Sequence, residues 1–370
     1  MSHDSSRFAG RALPRRGRAF RTTVALCTIV TSLSFALATT PSLAADGPLR
    51  VVVTTPDLAA LTRAVGGEDV SVTALVKGTE DPHFAEAKPS YVRAVNQADL
   101  FIQMGLELEM GYAPLLLQQG RNPLVVPGSP GFLDASSVIG RPLDVPVGVV
   151  DRSMGDLHPG GNPHYLLDPL RGLAVAELIA GRLGALRPEA KGRFDQRFET
   201  FQRELLSGLV GEQLADKYGK DASKLALLHQ HGKLKDFLEQ QGESGKLGGW
   251  LGAMMPYVGT KAVDDHPIWS YFADRFGLLV VGHLEPLPGV PPTTKHLEKI
   301  VELIRAQDVK VVLASAYYDP RYAQFVGEKS GAKVLRMANQ VDAVPGTGTY
   351  IEMVSYNVAQ VAAALGTQAR

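Results

Sequence analysis

The sequence has a single cysteine, Cys27, only two tryptophans, and no excess charge of either sign, since 38 basic residues face 38 acidic ones in 370. Zero net charge gives no pull toward nucleic acid or an anionic membrane surface. A lone cysteine excludes an internal disulfide and a thiolate cluster, so any metal site must be built from histidines and carboxylates. Neither H-E-x-x-H nor G-x-S-x-G occurs. The usual apparatus of zinc proteases and serine hydrolases is therefore missing. The apolar run from Thr22 to Ala38 is too short and too rich in Thr and Ser for a membrane span.

What precedes and follows that run gives it a meaning. Residues 1–21 carry six arginines against one acid, Asp4, and the run ends in Thr39-Thr40-Pro41-Ser42-Leu43-Ala44. A basic start, an apolar core and a small-residue exit read as a secretory signal peptide cleaved after Ala44, with a periplasmic destination. Arg15-Arg16 lacks a twin-arginine continuation, and Leu26 before Cys27 argues against a lipidated cysteine. Without the leader the rest of the chain carries a net charge of about −5.

Along residues 45–370, short β-branched runs alternate with helical spacing. Strands are expected at Leu49–Thr55, Val70–Val76, Leu100–Met104 and Leu124–Val126, then at Lys261–Val263, Leu278–Gly282, Val309–Ala314 and Lys333–Leu335. Helices are expected at Ser90–Ala98, Thr294–Ala306, Arg321–Ser330 and Tyr350–Leu365. Residues 169–218 show no strand signal; Ala, Leu, Glu, Arg and Gln dominate, broken once at Arg187-Pro188. Two helices are expected there, the second about thirty residues long. The fold class is α/β: two parallel-sheet lobes, 45–168 and 219–370, bridged by a long helix within 169–218, with a cleft between them.

Eight of the nine histidines lie beyond the leader. His83 follows the second strand, His164 precedes the helical stretch and His266 follows the Lys261–Val263 strand; each sits next to a proline, Pro82, Pro163 or Pro267. Strand exits are where loops of open α/β sheets converge on ligands, and proline limits the loop entropy lost on binding. Taken singly, each histidine reads more readily as a helix cap or a satisfied buried group than as a ligand. Three at equivalent exits in both lobes read as a metal site, because neutral imidazole is a good zinc ligand while manganese prefers oxygen.

Asp81-Pro82-His83 with Lys88-Pro89-Ser90, Asn162-Pro163-His164-Tyr165 with Asp168-Pro169, and His266 with Trp269-Ser270-Tyr271-Phe272 carry a family resemblance, as do Glu285-Pro286 and Pro288–Thr293. Together these segments resemble the metal-binding receptors of zinc and manganese ABC importers, over nearly the whole chain after the leader. The resemblance implies two lobes on a stiff helix with the ion in the cleft, Zn²⁺ ahead of Mn²⁺, and delivery to a membrane permease. It implies His83 and His164 as ligands from the first lobe and His266 from the second. The family's late acidic ligand has no counterpart, since the matching stretch reads Leu335-Arg336-Met337-Ala338-Asn339. Asp319 is the candidate fourth ligand, with capping of the following helix as its alternative, and Glu285 is the second candidate.

The remaining histidines read as accessories. His158 reads as a surface-loop residue, with a relay of metal toward the cleft as the alternative, and His229 and His231 as a solvated pair. Asp264-Asp265 either orients the His266 ring or caps a helix. The expected protein is a monomeric, non-catalytic receptor. The alternatives are a secreted zinc-dependent hydrolase or a surface adhesin on the same fold. Imidazole ligation predicts that metal affinity falls below about pH 6.

Overall fold

The chain is described by a computed structural model covering residues 47–148, 157–287 and 289–366. The expected leader, with Arg15, Arg16 and Cys27, lies outside the described residues. Gly47 onward belongs to one compact unit, which contains both lobes.

Among the described residues, eight strands form two four-stranded, fully parallel sheets. The first holds β1 (Leu49–Val53), β2 (Val70–Ala74), β3 (Leu100–Gln103) and β4 (Phe132–Asp134) in the order β2-β1-β3-β4. The second holds β5 (Lys261–Asp264), β6 (Leu279–His283), β7 (Val311–Ser315) and β8 (Lys333–Met337) in the order β6-β5-β7-β8. The central strands are runs of apolar residues because helices cover both faces of a parallel sheet. Val51, Val53, Ile102, Val311 and Leu313 are all fully or almost fully buried. In each sheet the strand order reverses beside the central strand, β1 or β5, which is where ligand crevices of such sheets open.

The fourth strand differs from the sequence expectation. Leu124–Val126 has a strand-like composition, yet Pro123–Val125 is a single 3-10 turn. Asn122 caps that turn by accepting from the Leu124 N–H at 3.0 Å, while its amide donates to the Val95 and Ala98 carbonyls. The strand beside β3 is Phe132–Asp134 instead.

The bridging region differs in length. The Pro169–Leu186 helix is capped by Asp168, and the Lys191–Val210 helix has 20 residues, about 30 Å, before it stops at Gly211. Gly211 adopts φ +85°, and a Cβ there would lie 2.9 Å from the Gly248 Cα, so close backbone approach ends the helix where composition alone would continue it. The Lys191–Val210 helix packs on the Pro56–Gly66 helix of the first lobe and on the Gly249–Met254 and Tyr350–Gly366 helices of the second. Its Phe194, Phe201, Leu205 and Leu209 join one apolar core running through both lobes. Among the described residues no helix is long and apolar enough to cross a membrane.

Candidate metal centre

His83 sits in a 3-10 turn, Pro82–Phe84, beyond β2. Asp81 caps that turn with one oxygen, Oδ1, which accepts from the His83 backbone N–H at 2.9 Å and from the ring Nδ1 at 2.7 Å. The ring is thereby oriented with Nε2 turned away from Asp81. Burial raises the Asp81 carboxyl, but the hydrogen bonds and charge of His83 outweigh it and leave the group below the usual carboxylate range.

His164 is built on the same plan. Asn162 Oδ1 accepts from the His164 backbone N–H at 2.9 Å and from its Nδ1 at 3.0 Å. Its Nε2 is buried and has no hydrogen-bond partner. An unpartnered ring nitrogen in the interior is costly unless something else takes its lone pair. Burial, reinforced by the neighbouring histidines, holds His164 well below the ordinary imidazole pKa.

His266 follows β5 directly and enters from the second lobe. Its Nδ1 lies 2.7 Å from Glu285 Oε2, and its backbone N–H donates to Asp265 Oδ1 at 2.9 Å. Glu285 Oε2 also accepts from the Gly289 N–H at 2.8 Å. Asn162 ties the two loops together, because its amide donates to the Pro267 carbonyl at 2.5 Å while its oxygen holds His164. The His83 and His266 side chains are 5% and 4% exposed.

The rings approach one another. Centres of His83 and His164 are 5.3 Å apart, and His266 stands 6.1 Å from His83 and 6.0 Å from His164. Imidazoles bound to one tetrahedral ion at about 2.0–2.1 Å have centres about 5 Å apart. No three His, Cys, Asp or Glu side chains among the described residues already stand at metal-holding distances. The His266 ring stands about 1 Å farther from the other two than a shared tetrahedral ion requires.

The other candidates are engaged in different ways. Asp319 caps the Pro320–Ser330 helix by accepting from the Arg321 N–H at 3.0 Å, and Arg321 grips its carboxylate. That guanidinium and the cap hold Asp319 at about 2. Glu285 is the partner of the His266 ring and stands behind it. His158 is half-buried, with its Nε2 3.2 Å from His83 Nε2 and ring centres 5.3 Å apart. Sequence reasoning set it aside, although His158-Pro159 shows the same histidine-beside-proline signal as the other three. Burial first, and then the nearby His83, bring the His158 ring down to about 4. His229 is buried on the Ser223–Gln230 helix, whereas His231 is exposed, so the two are not a solvated pair.

Two cavities meet this region. The larger, about 560 Å³, is lined by Glu285, Asp319, Tyr318 and mostly apolar neighbours, with no histidine in its lining. The smaller, about 260 Å³, is lined by His158, His164, His266, His283 and Asn162. His158, His164 and His266 thus face the smaller one, while His83 stands beside it, its ring centre 5.3 Å from that of His164.

The profile of the family described as zinc-uptake complex component A periplasmic matches residues 51–226 and 251–364. The metal ABC transporter substrate-binding lipoprotein FimA of Streptococcus parasanguinis is 27% identical over 162 residues, 44% of this chain and 49% of that protein. In two further streptococcal relatives the match spans 56% and 62% of the relative's length, so the chain covers about half to three-fifths of these proteins. The manganese-binding lipoprotein MntA of Halalkalibacterium halodurans is 23% identical over 316 residues, 84% of this chain and 86% of that one. A crystal structure of ZnuA superposes with a TM-score of 0.61 at 18% identity, over 85% of this chain and 98% of that one, which shows the shared fold.

Proposed function

The chain belongs to the zinc-uptake complex component A periplasmic family, and from that premise we propose that it captures a divalent transition metal, Zn²⁺ ahead of Mn²⁺, outside the cytoplasm. It then hands the ion to the membrane permease of an ABC importer, acting as a monomer after removal of residues 1–44. One observation carries this reading. His83, His164 and His266 each have Nδ1 tied to an oxygen, of Asp81, Asn162 and Glu285, while their rings cluster within 5.3–6.1 Å. Three imidazole nitrogens presented to one space suit zinc better than manganese, which favours oxygen.

The domain reading follows the same logic. Residues 45–168 supply His83 and His164, residues 219–370 supply His266, and the 169–218 helices hold the halves in register. We read the protein as a receptor and not a hydrolase, because Asp81 and Glu285 are each spent on orienting an imidazole. Calorimetry of chelator-stripped protein tests the proposal: zinc should bind one to one, tighter than micromolar, and raise the melting temperature. Single His83→Ala, His164→Ala and His266→Ala variants should each lose most of that affinity. Unchanged zinc binding in all three would sink the assignment.

A further inference from the structure

Resting on that receptor reading, we propose that His158 supplies the fourth ligand, closing an all-imidazole shell that sets the preference for zinc over manganese. The first support is distance. Adjacent nitrogens around a tetrahedral ion at about 2.0–2.1 Å stand about 3.3 Å apart, and His158 Nε2 lies 3.2 Å from His83 Nε2. The two ring centres are 5.3 Å apart, the same as the His83–His164 pair.

The second support is that His158 is placed by a built turn. His158-Pro159-Gly160-Gly161 is closed by the Gly161 N–H donating to the His158 carbonyl at 2.9 Å. Proline after the first residue and glycine at the fourth are the residues such a turn favours. Gly161 takes φ +101°, and a Cβ there would meet Pro142 at 2.7 Å and the Leu143 carbonyl at 2.8 Å. The next residue, Asn162, donates its N–H to Leu143 at 2.9 Å and begins the unit that orients His164. One short segment therefore presents two imidazoles to the same cavity. Gly160 in the same turn lies against Leu106, where a Cβ would stand 3.0 Å from the Leu106 side chain.

The third support is the commitment of the alternatives. Glu285 is engaged by His266 and Gly289, and Asp319 by Arg321 and its helix. A shell of four neutral nitrogens leaves both charges of the ion on the complex and offers no oxygen. Such a shell suits zinc and cobalt and penalises manganese, whose preferred donors are carboxylate, carbonyl and water.

The experiment compares the full-length processed protein with His158→Ala and His158→Asp, using Zn²⁺, Mn²⁺ and Co²⁺ as probes and apo-state melting as a folding control. His158→Ala should still bind one zinc, about tenfold or more weakly, and its cobalt complex should lose intensity in the visible bands as water enters. His158→Asp should restore four-coordinate cobalt absorption while the zinc-to-manganese affinity ratio falls about tenfold. If both variants keep the parent's zinc affinity, cobalt spectrum and metal ratio, His158 is a bystander and the inference is overturned. That result leaves the three-histidine receptor standing, whereas unchanged binding in the His83, His164 and His266 variants removes the receptor reading itself.

Discussion

Arg275 grips Asp168 through two parallel contacts of 2.7 Å, Nε to Oδ1 and Nη2 to Oδ2, with both side chains 4% exposed. Arg275 belongs to the Ser270–Phe276 helix of the second lobe, and Asp168 caps the Pro169–Leu186 helix that leaves the first. The pair pins the second lobe to the turn that follows His164. Removing one partner strands a buried charge, which typically costs about 3–5 kcal/mol. Arg275→Ala should lose stability on that scale in denaturant titration. The Arg275→Met, Asp168→Asn double variant should recover part of it, since asparagine can still cap the helix. Equal losses in the single and double variants would show that the charge pairing is not the cause.

On the sequence Asp319 ranks ahead of Glu285 as a fourth ligand, and the structure gives the two different partners. Glu285 stands 2.7 Å behind the His266 ring, and carboxylates in that position typically govern about 10–100-fold in metal affinity. Glu285→Ala should weaken zinc by that factor. Asp319→Ala should leave zinc affinity within about twofold and lower stability only through the lost cap. Parallel isothermal titrations settle it, and a large affinity loss from Asp319→Ala would return Asp319 to the coordination shell.

Much of this arrangement was legible from the chain alone, and the failures share a cause. β1, β3, β5 and β7 announce themselves because a strand covered on both faces must be apolar throughout. His83, His164 and His266 could be picked out because strand exits and neighbouring prolines are local signals. Leu124–Val126 misled because Asn122 spends its side chain on the Val95 and Ala98 carbonyls, which are distant in sequence. The helix stop at Gly211 depends on Gly248, and the placement of His158 on Leu106 and Leu143. Asp319 was weighed as a cap from sequence because capping is local; the Arg321 grip that commits it is a side-chain geometry that sequence does not give.

Glu109 gives a pH signature. It is buried, accepting from Thr54 Oγ1 and the Met104 N–H at 2.6 Å and from the Gly105 N–H at 3.2 Å. Burial pushes its carboxyl up to about 7 despite those bonds. A carboxyl raised in the folded state ionises first in the unfolded chain, so its contribution to stability is intact below the unfolded pKa. It is lost as pH climbs from about 4.5 to about 7, by up to about 3 kcal/mol. Glu109→Gln should therefore gain on the parent as pH rises through that window, followed by denaturant titration at several pH values. Asp57 and Asp265, raised by burial to about 7 and about 8, impose the same trend on both proteins and cancel in the difference. Parallel curves for parent and variant would show that Glu109 stays ionised throughout.

Gly78 is one of the points where the His83 loop touches the second lobe. Its carbonyl accepts from Gln340 Nε2 at 3.0 Å, as does the Glu80 carbonyl at 2.7 Å. A Cβ on Gly78 would fall 2.3 Å from the Val341 carbonyl oxygen and from the Asp342 carbonyl carbon, and backbone cannot swing aside as a side-chain tip can. Gly78→Ala should cost about 1–3 kcal/mol, the usual range for overpacking. The displaced strap should also carry His83 away from His266 and weaken zinc several-fold. Gly181→Ala is the control, because nothing lies within 4 Å of its Cβ and the residue sits inside the Pro169–Leu186 helix. There alanine should gain up to about 1 kcal/mol from helix propensity and leave zinc affinity alone. If Gly78→Ala melts and binds zinc like the parent, the contact between the His83 loop and the second lobe does not govern the distance between the two ligands.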